Sequence, residues 1–433
     1  MADVIVVGAG PTGLWLSAEL ALAGLSVTVL ERRAEPVTFS KAMGVHARTL
    51  EVLAMRGAQG PLLAAGRPVP DWHWGVLRSR LDLTALDTPY PFMLAVPQER
   101  TEAVLQEHAL ALGVRIERGR EVTGLRQEDG EVLVEAGETL SAAYVVGCDG
   151  GGSAVRKASG IGFPGTPARV VGFVADAVLD DPPPPGFSLV APAGALLVAP
   201  APGGLFRLGG YDPRHQDVAA PFPADELRDF LVRATGRDFG LREAVWLSRF
   251  GNATRQADVY RSGRILVAGD AAHIHFPTGG VGLNTGVQDA MNLGWKLAAV
   301  LKDGAPRSLL DSYHDERHPV SAAVGADTMA QTALLTAITP EGAALRAAVE
   351  QLLADPAANR AMAERVSGLS VAYPPADPAA HPLTGRRAPA SSFPLLHQGR
   401  PVVLREGATM LVRPDGYVGW ASDDPAAEPP ALF

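Results

Sequence analysis

Cysteine is almost absent from this 433-residue chain: Cys148 stands alone, so an internal disulfide framework, a CxxC redox pair and a cysteine-based zinc site are excluded. A lone cysteine fits a reducing cytosol. Basic residues are outnumbered, 38 Lys and Arg against 47 Asp and Glu, and form no block. A net charge of -9 excludes the basic field that a nucleic-acid partner needs. No long apolar run exists either. The least charged stretch, Val190 to Gly204, is broken by prolines and glycines and is too short to span a bilayer. The opening MADVIVVGAG lacks a basic n-region, so it reads as the start of a fold and not as a secretion signal. With 47% hydrophobic residues the chain has enough apolar material for two or three globular units.

What is present begins at Val4 to Val7, a continuous apolar run suited to a buried parallel strand. Gly8-Ala9-Gly10-Pro11-Thr12-Gly13 follows, then the helix-forming LWLSAELALAG closed by Gly24, then the strand Val27 to Leu30 ending in Glu31. This is one βαβ unit with a dinucleotide-binding turn. Gly8 permits the tight turn, Gly10 admits a pyrophosphate, Gly13 lets helix pack on strand, and Glu31 can accept hydrogen bonds from a ribose. A carboxylate at Glu31 disfavours a 2′-phosphate, leaving FAD or NAD.

Later features favour FAD. Residues 142 to 160, AAYVVGCDGGGSAVRKASG, read as a strand ending at Cys148-Asp149-Gly150, a glycine run and a short basic helix. Ile265 to Ala268 reads as another strand, which sets Asp270 at a carboxyl edge, where open α/β sheets bind ligands. After PTGGVG a helix is expected from about Leu283 to Leu301, its N-terminus suited to the negative charge of a reduced flavin.

GAGPTG with Glu31, KAMGVHARTLEVL, CDGGGSAVRKASG and GDAAHIHFPTGGVGLNTGVQDAMNLGWKL together resemble the class A FAD-dependent aromatic hydroxylases. This is the para-hydroxybenzoate and phenol hydroxylase family, and the actinomycete polyketide and antibiotic hydroxylases are most similar within it. The resemblance runs to about residue 320. It implies that Asp149 and Gly150 serve both flavin and a visiting nicotinamide, that Asp270 holds the ribityl chain, and that Arg48 and Gln98 reach the cofactor. It also implies that Gly280, Gly282, Leu283 and Asn284 line the isoalloxazine, with Pro277 and Gly280 in the loop beside it. Arg32 joins Glu31 at the nucleotide end.

On the same footing, the expected activity is a single-component monooxygenation: NAD(P)H reduces FAD, O2 reacts, and a flavin C4a-hydroperoxide hydroxylates an aromatic, polyketide-type phenol. Baeyer-Villiger insertion, epoxidation, or a flavoprotein that only sequesters an aromatic drug are the alternatives. No second GxGxxG unit is visible, which argues against enzymes with a separate nicotinamide domain. The run from Pro70 to Val76, PDWHWGV, lacks the leading glycine and the Ile-Pro of a flavin halogenase, so Trp72 and Trp74 read as alternating strand residues. No side chain is assigned as a catalytic base; Asp176, His215 and Arg249 read as surface or structural. No metal is expected, and His273 and His275 read as packing or hydrogen-bonding within the flavin loop.

The expected architecture is α/β: a Rossmann-like FAD domain (1-65, 95-160 and 262-325) interrupted by a β-sheet substrate domain (66-94 and 161-261). A helical segment (326-370) and a proline-rich linker with a shortened C-terminal region (371-433) follow. Arg413-Pro414-Asp415-Gly416-Tyr417 resembles the end of the thioredoxin-like domain of larger relatives, expected here as two strands of a remnant packed on the cofactor domain. The chain is expected to be cytoplasmic, with neither membrane nor nucleic-acid partner, and a monomer or homodimer.

Overall fold

A computed structural model describes residues 2-37, 39, 42-375 and 377-432. Lys41, which opens the KAMGVHARTLEVL motif, lies outside them. The chain first builds β1 (Ala2–Val7), α1 (Pro11–Leu22), β2 (Val27–Glu31), β3 (Arg115–Arg118), the hairpin β4 (Gly124–Gln127) and β5 (Val132–Glu135), and β6 (Thr139–Gly147). It then leaves for a separate sheet: β7 (Val171–Leu179), β8 (Ser188–Ala191), β9 (Gly194–Pro200), β10 (Phe206–Tyr211), the helix α2 (Ala224–Thr235) and β11 (Leu241–Gly251). It returns with β12 (Arg261–Ser262) and β13 (Ile265–Val267), then α3 (Gly282–Lys302) and α4 (Asp311–Leu335).

The first sheet has the order β12-β13-β6-β1-β2-β3, with β5 and β4 continuing from β6. β13, β6, β1, β2 and β3 run parallel. Both sheet faces must therefore be covered, which explains why β1 is apolar from Val4 to Val7 and β2 is apolar at Val27, Val29 and Leu30. α1 is buried nearly all round, because α3 packs on its far side; a Cβ at Gly294 of α3 would lie 2.7 Å from the Glu19 Cβ, so this crossing needs glycine. The register pairs Val7 with Leu30 and Gly147, and Gly147 with Val267. Four strand ends thus open onto one edge, which carries Gly8, Glu31, Cys148 and the turn at Asp270.

The second sheet is antiparallel in the order β8-β9-β10-β7-β11. One face packs on α2 through Phe173, Ala175 and Leu208 against Leu227, Phe230 and Leu231. The segment 66-94 does not join this sheet, contrary to the expected substrate domain. It forms two small ladders, one of them with residues 44-45 and 93-95, and its Trp74, Leu77 and Leu81 pack with Leu334, Leu353 and Val366 of the helices from 311 to 367. Trp72 and Trp74 consequently do not alternate across a strand.

The C-terminal region holds three strands where two were expected: β14 (Val402–Glu406), β15 (Ala408–Val412) and β16 (Val418–Ser422). Leu404, Met410, Val412 and Val418 belong to the same core as α1 and α3. The Pro414-Asp415-Gly416 turn is pinned by charge: Arg413 bridges Glu316 (2.7 Å) and Asp415 (2.5 Å), while Lys296 pairs with Glu316 at 2.8 Å.

Candidate active site

The nucleotide end is built by sterics. Gly8 has φ 106°, and a Cβ there would sit 2.4 Å from the Cys148 carbonyl oxygen. A Cβ at Gly13 would sit 2.0 Å from the Gly8 carbonyl oxygen. Gly10 differs: nothing lies within 4 Å of its Cβ position, and its φ of -80° suits any residue. Neither the fold nor the backbone therefore requires glycine at position 10. An open cradle at the N-terminus of α1, which no side chain caps, fits a pyrophosphate. Glu31 completes this end. Its carboxylate accepts from the N–H of Ala9 (2.9 Å) and of Arg33 (3.0 Å), which fixes it across the glycine turn with lone pairs to spare for a ribose. Arg32 beside it is exposed.

Asp149 and Asp270 flank this turn. One oxygen of Asp149 accepts from the N–H groups of Ala154 (2.7 Å) and Val155 (3.2 Å), while its Oδ1 is buried with no partner among the described residues. Gly150 follows at φ 83°. Asp270 is exposed, on a single turn whose Gly269 packs against Thr12 of α1: a Cβ at Gly269 would lie 2.6 Å from the Thr12 hydroxyl. Gln98 links the neighbouring segment, accepting from Ala42 N–H and donating to Glu102.

The second glycine turn, Pro277 to Gly282, leads into α3, whose N-terminus also lacks a side-chain cap. Gly279 and Gly280 hold φ of 76° and 67°. Side chains from elsewhere fasten this turn: His46 Nε2 lies 2.9 Å from the Gly279 carbonyl oxygen, and the Trp72 indole N–H donates to the same oxygen at 3.0 Å. Asn284 was expected to line the ring. Its side chain is spent instead on holding loops together, accepting from His46 N–H and donating to the carbonyls of Gly44 and Gly280. Pro277 is exposed, and Gly280, Gly282 and Leu283 are half-buried beside it.

Arg48 requires a correction. The expectation that it reaches the cofactor fails because its side chain is enclosed by protein, 1% exposed. Its guanidinium pairs with Glu51 at 2.8 Å, donates to the Asp415 carbonyl at 2.9 Å and lies over the Tyr417 ring. It fastens the C-terminal turn to the cofactor domain.

Both loop histidines have hydrogen-bond partners, one of them outside the loop. His273 Nε2 lies 2.6 Å from Asp289, whose other oxygen accepts from Arg317 at 2.7 Å. Burial works to raise the Asp289 carboxyl, but Arg317 and His273 hold it below the usual range. His275 contacts its neighbour's carbonyl, Phe276, and burial lowers its pKa. Burial also lowers His46 to about 4, so it is neutral at physiological pH. Burial pushes the Cys148 thiol well up, which removes it from thiolate chemistry. Among the described residues one group has ligand-type spacing, Asp212, His215 and Glu226, but Arg233 and Arg249 already hold its carboxylates. His215 and Arg249 thus stand on the α2 side of the second sheet. Asp176 does not: it lies on the opposite, half-open face, paired with Arg207. Neither that pair nor Trp72 was singled out from the sequence as part of the site.

The model of a family described as an FAD binding domain matches residues 1–328. The chain belongs to this family. A 12-dehydrotetracycline 5-monooxygenase/anhydrotetracycline 6-monooxygenase of Streptomyces rimosus is 40% identical over 483 aligned positions, covering 97% of this chain and 95% of the relative. A rifampicin monooxygenase of Streptomyces venezuelae is 41% identical over 466, covering 98% and 96%. The solved structure of an anhydrotetracycline hydroxylase from Streptomyces rimosus superposes with a TM-score of 0.89 at 39% identity, covering 97% of this chain and 95% of that one. Both alignments are longer than the 433-residue chain, so these relatives carry segments that it lacks. The protein is an FAD-dependent monooxygenase, of a family whose typical reductant is NAD(P)H. No helix among the described residues is long and apolar enough to cross a membrane.

Proposed function

We propose that this monooxygenase hydroxylates a polycyclic, phenol-bearing molecule of polyketide type, in the cytoplasm and as a monomer or homodimer. The observation that carries the reading is convergence. The open Gly10 cradle, the Glu31 and Asp270 carboxylates and the uncapped N-terminus of α3 share one strand edge, and an aromatic wall stands beside the second glycine turn. FAD, when bound, supplies the redox and oxygen-activating chemistry. Gly10 and the first turn of α1 would hold its pyrophosphate, Glu31 a ribose, and Asp270 the ribityl chain. Free N–H groups at Gly282 and Leu283, at the positive end of α3, would face the negative charge of the reduced ring. Asp149 and Gly150 would serve both the flavin and the visiting nicotinamide. Phe276 and Phe250, with ring centroids 5.1 Å apart, close the loop end against water.

The test has two stages. NADPH added under argon to the FAD-loaded protein should bleach the flavin band. In air, 1-naphthol, 2-hydroxyanthraquinone and anhydrotetracycline should include at least one compound that speeds NADPH consumption and gains one oxygen, with NMR distinguishing a hydroxyl from a ring-inserted ester. No bleaching, or NADPH consumption that yields only peroxide with every compound, would contradict the reading.

A further inference from the structure

The second sheet has two unlike faces. Its α2 face is closed around an apolar cluster with the Arg249–Glu226 pair at one end, whereas most residues of the other parity are half-exposed and look toward the second glycine turn. The ladder sets that open face in three rows. Tyr211, Gly172 and Phe250 form the row at the turn, where a Cβ on Gly172 would lie 2.8 Å from the Phe276 ring. Gly209, Val174 and Ser248 form a middle row with no bulky side chain. Arg207, Asp176 and Trp246 form the far row. Four residues along β7 separate the outer rows, roughly 13 Å at strand rise.

The far row carries an anomaly. Arg207 is 8% exposed and gives two hydrogen bonds to Asp176, Nε at 2.8 Å and Nη2 at 2.6 Å. Its Nη1 is buried and has no partner among the described residues. Asp176 and Arg207 are already ladder neighbours, so the strands do not need an ion pair to stay joined. On the α2 face the same two strands, β7 and β10, meet through Phe173 and Gly210, Ala175 and Leu208, and Ala177 and Phe206, apolar pairs that cost less than a buried ion pair. An unpaired guanidinium N–H beside aromatic rings is expected where an oxygen of a ligand completes it. Trp246 flanks the guanidinium, 5.5 Å from ring centroid to Cζ, and stacks on Phe39 at 5.2 Å.

Resting on the proposed function, we infer that Arg207 is the distal anchor of an elongated substrate. Several fused rings lie over the Val174 floor, the edge to be oxygenated stands at Phe250 and Phe276, and a carbonyl or phenolate oxygen at the opposite end accepts from Arg207 Nη1. Asp176 is the positioning residue that orients the guanidinium.

Calorimetric titration of the FAD-loaded protein with 1-naphthol and with anhydrotetracycline tests this. The wild type should bind the longer probe more tightly. Arg207→Met should lose about tenfold or more for anhydrotetracycline, the worth of one charge-assisted hydrogen bond, and less than about twofold for 1-naphthol. Should Arg207→Met fail to load FAD, Val174→Trp replaces it: filling the floor should abolish the preference for the longer probe and leave 1-naphthol binding in place. Equal loss for both probes, no loss for either, or no length preference in the wild type would overturn the anchor. Oxygenation assays on the same samples separate the two claims. Turnover without a length preference removes the anchor and spares the monooxygenase; a length preference without any oxygenated product does the reverse.

Discussion

The two glycine turns that meet in the cleft are held by different means. In the turn at Gly8 to Gly13, backbone meets backbone: added Cβ atoms at Gly8 and Gly13 would strike carbonyl oxygens at 2.4 and 2.0 Å. The turn at Pro277 to Gly282 has no such backbone contact. The atoms nearest a Cβ on Gly280 are side-chain atoms of Trp72 and His46 at 3.8 and 4.0 Å, and its shape depends on Trp72, His46 and Asn284 from distant parts of the chain. The first turn is a local device suited to a nucleotide end that any ligand of this kind shares. The second is adjustable, because each side chain that shapes it can change without breaking the fold, and it lies nearest the substrate face.

Substitutions can break this contrast, and the largest effect should come from Gly13→Val. Its Cβ cannot coexist with the Gly8 carbonyl, so more than about 4 kcal/mol of stability should vanish, read as loss of soluble protein. Gly10→Val should separate folding from binding. The apo protein should melt within about 2 °C of wild type, while FAD affinity falls on the order of a hundredfold, measured by fluorescence titration. If the apo protein unfolds instead, the cradle is not open.

The side-chain-held turn should respond to pH. His46 is depressed from 6.5 in the unfolded chain to about 4 in the fold, so its contribution is fully present above pH 6.5 and is lost as pH falls toward about 4. Urea unfolding across that range should show up to ~3 kcal/mol of loss from this residue, and His46→Gln should flatten the slope. Asn284→Ala, which removes three hydrogen bonds to the two loops, should cost about 2 kcal/mol and speed FAD release. Trp72→Phe removes one indole donor and should cost about 1 kcal/mol or less, seen as a small drop in melting temperature with FAD still bound.

The same contrast explains what could be read in advance. Gly8, Gly10, Gly13 and Glu31 lie within one strand-helix-strand unit, so spacing alone defines their geometry. The positions of Asp149 and Asp270 just beyond strand ends were legible because each follows an apolar strand. Arg48 was not, since its partners Glu51 and Asp415 stand three and 367 residues away and only folding brings the second near. Asn284 was expected within the first turn of the helix after PTGGVG, where the structure has it, but its partners Gly44 and His46 are long-range. The Arg207–Asp176 pair depends on which strands become neighbours and in what register, and the third C-terminal strand hid in a short Val402–Glu406 run between turn residues.

The most direct test of the account is turnover under 18O2 by the FAD-loaded protein with NADPH, using whichever polycyclic phenol most accelerates NADPH consumption. The account predicts one labelled oxygen in the product and the other in water, with Arg207→Met lowering the yield for anhydrotetracycline far more than for 1-naphthol. Product without label, or consumption of NADPH matched entirely by labelled peroxide, would contradict it.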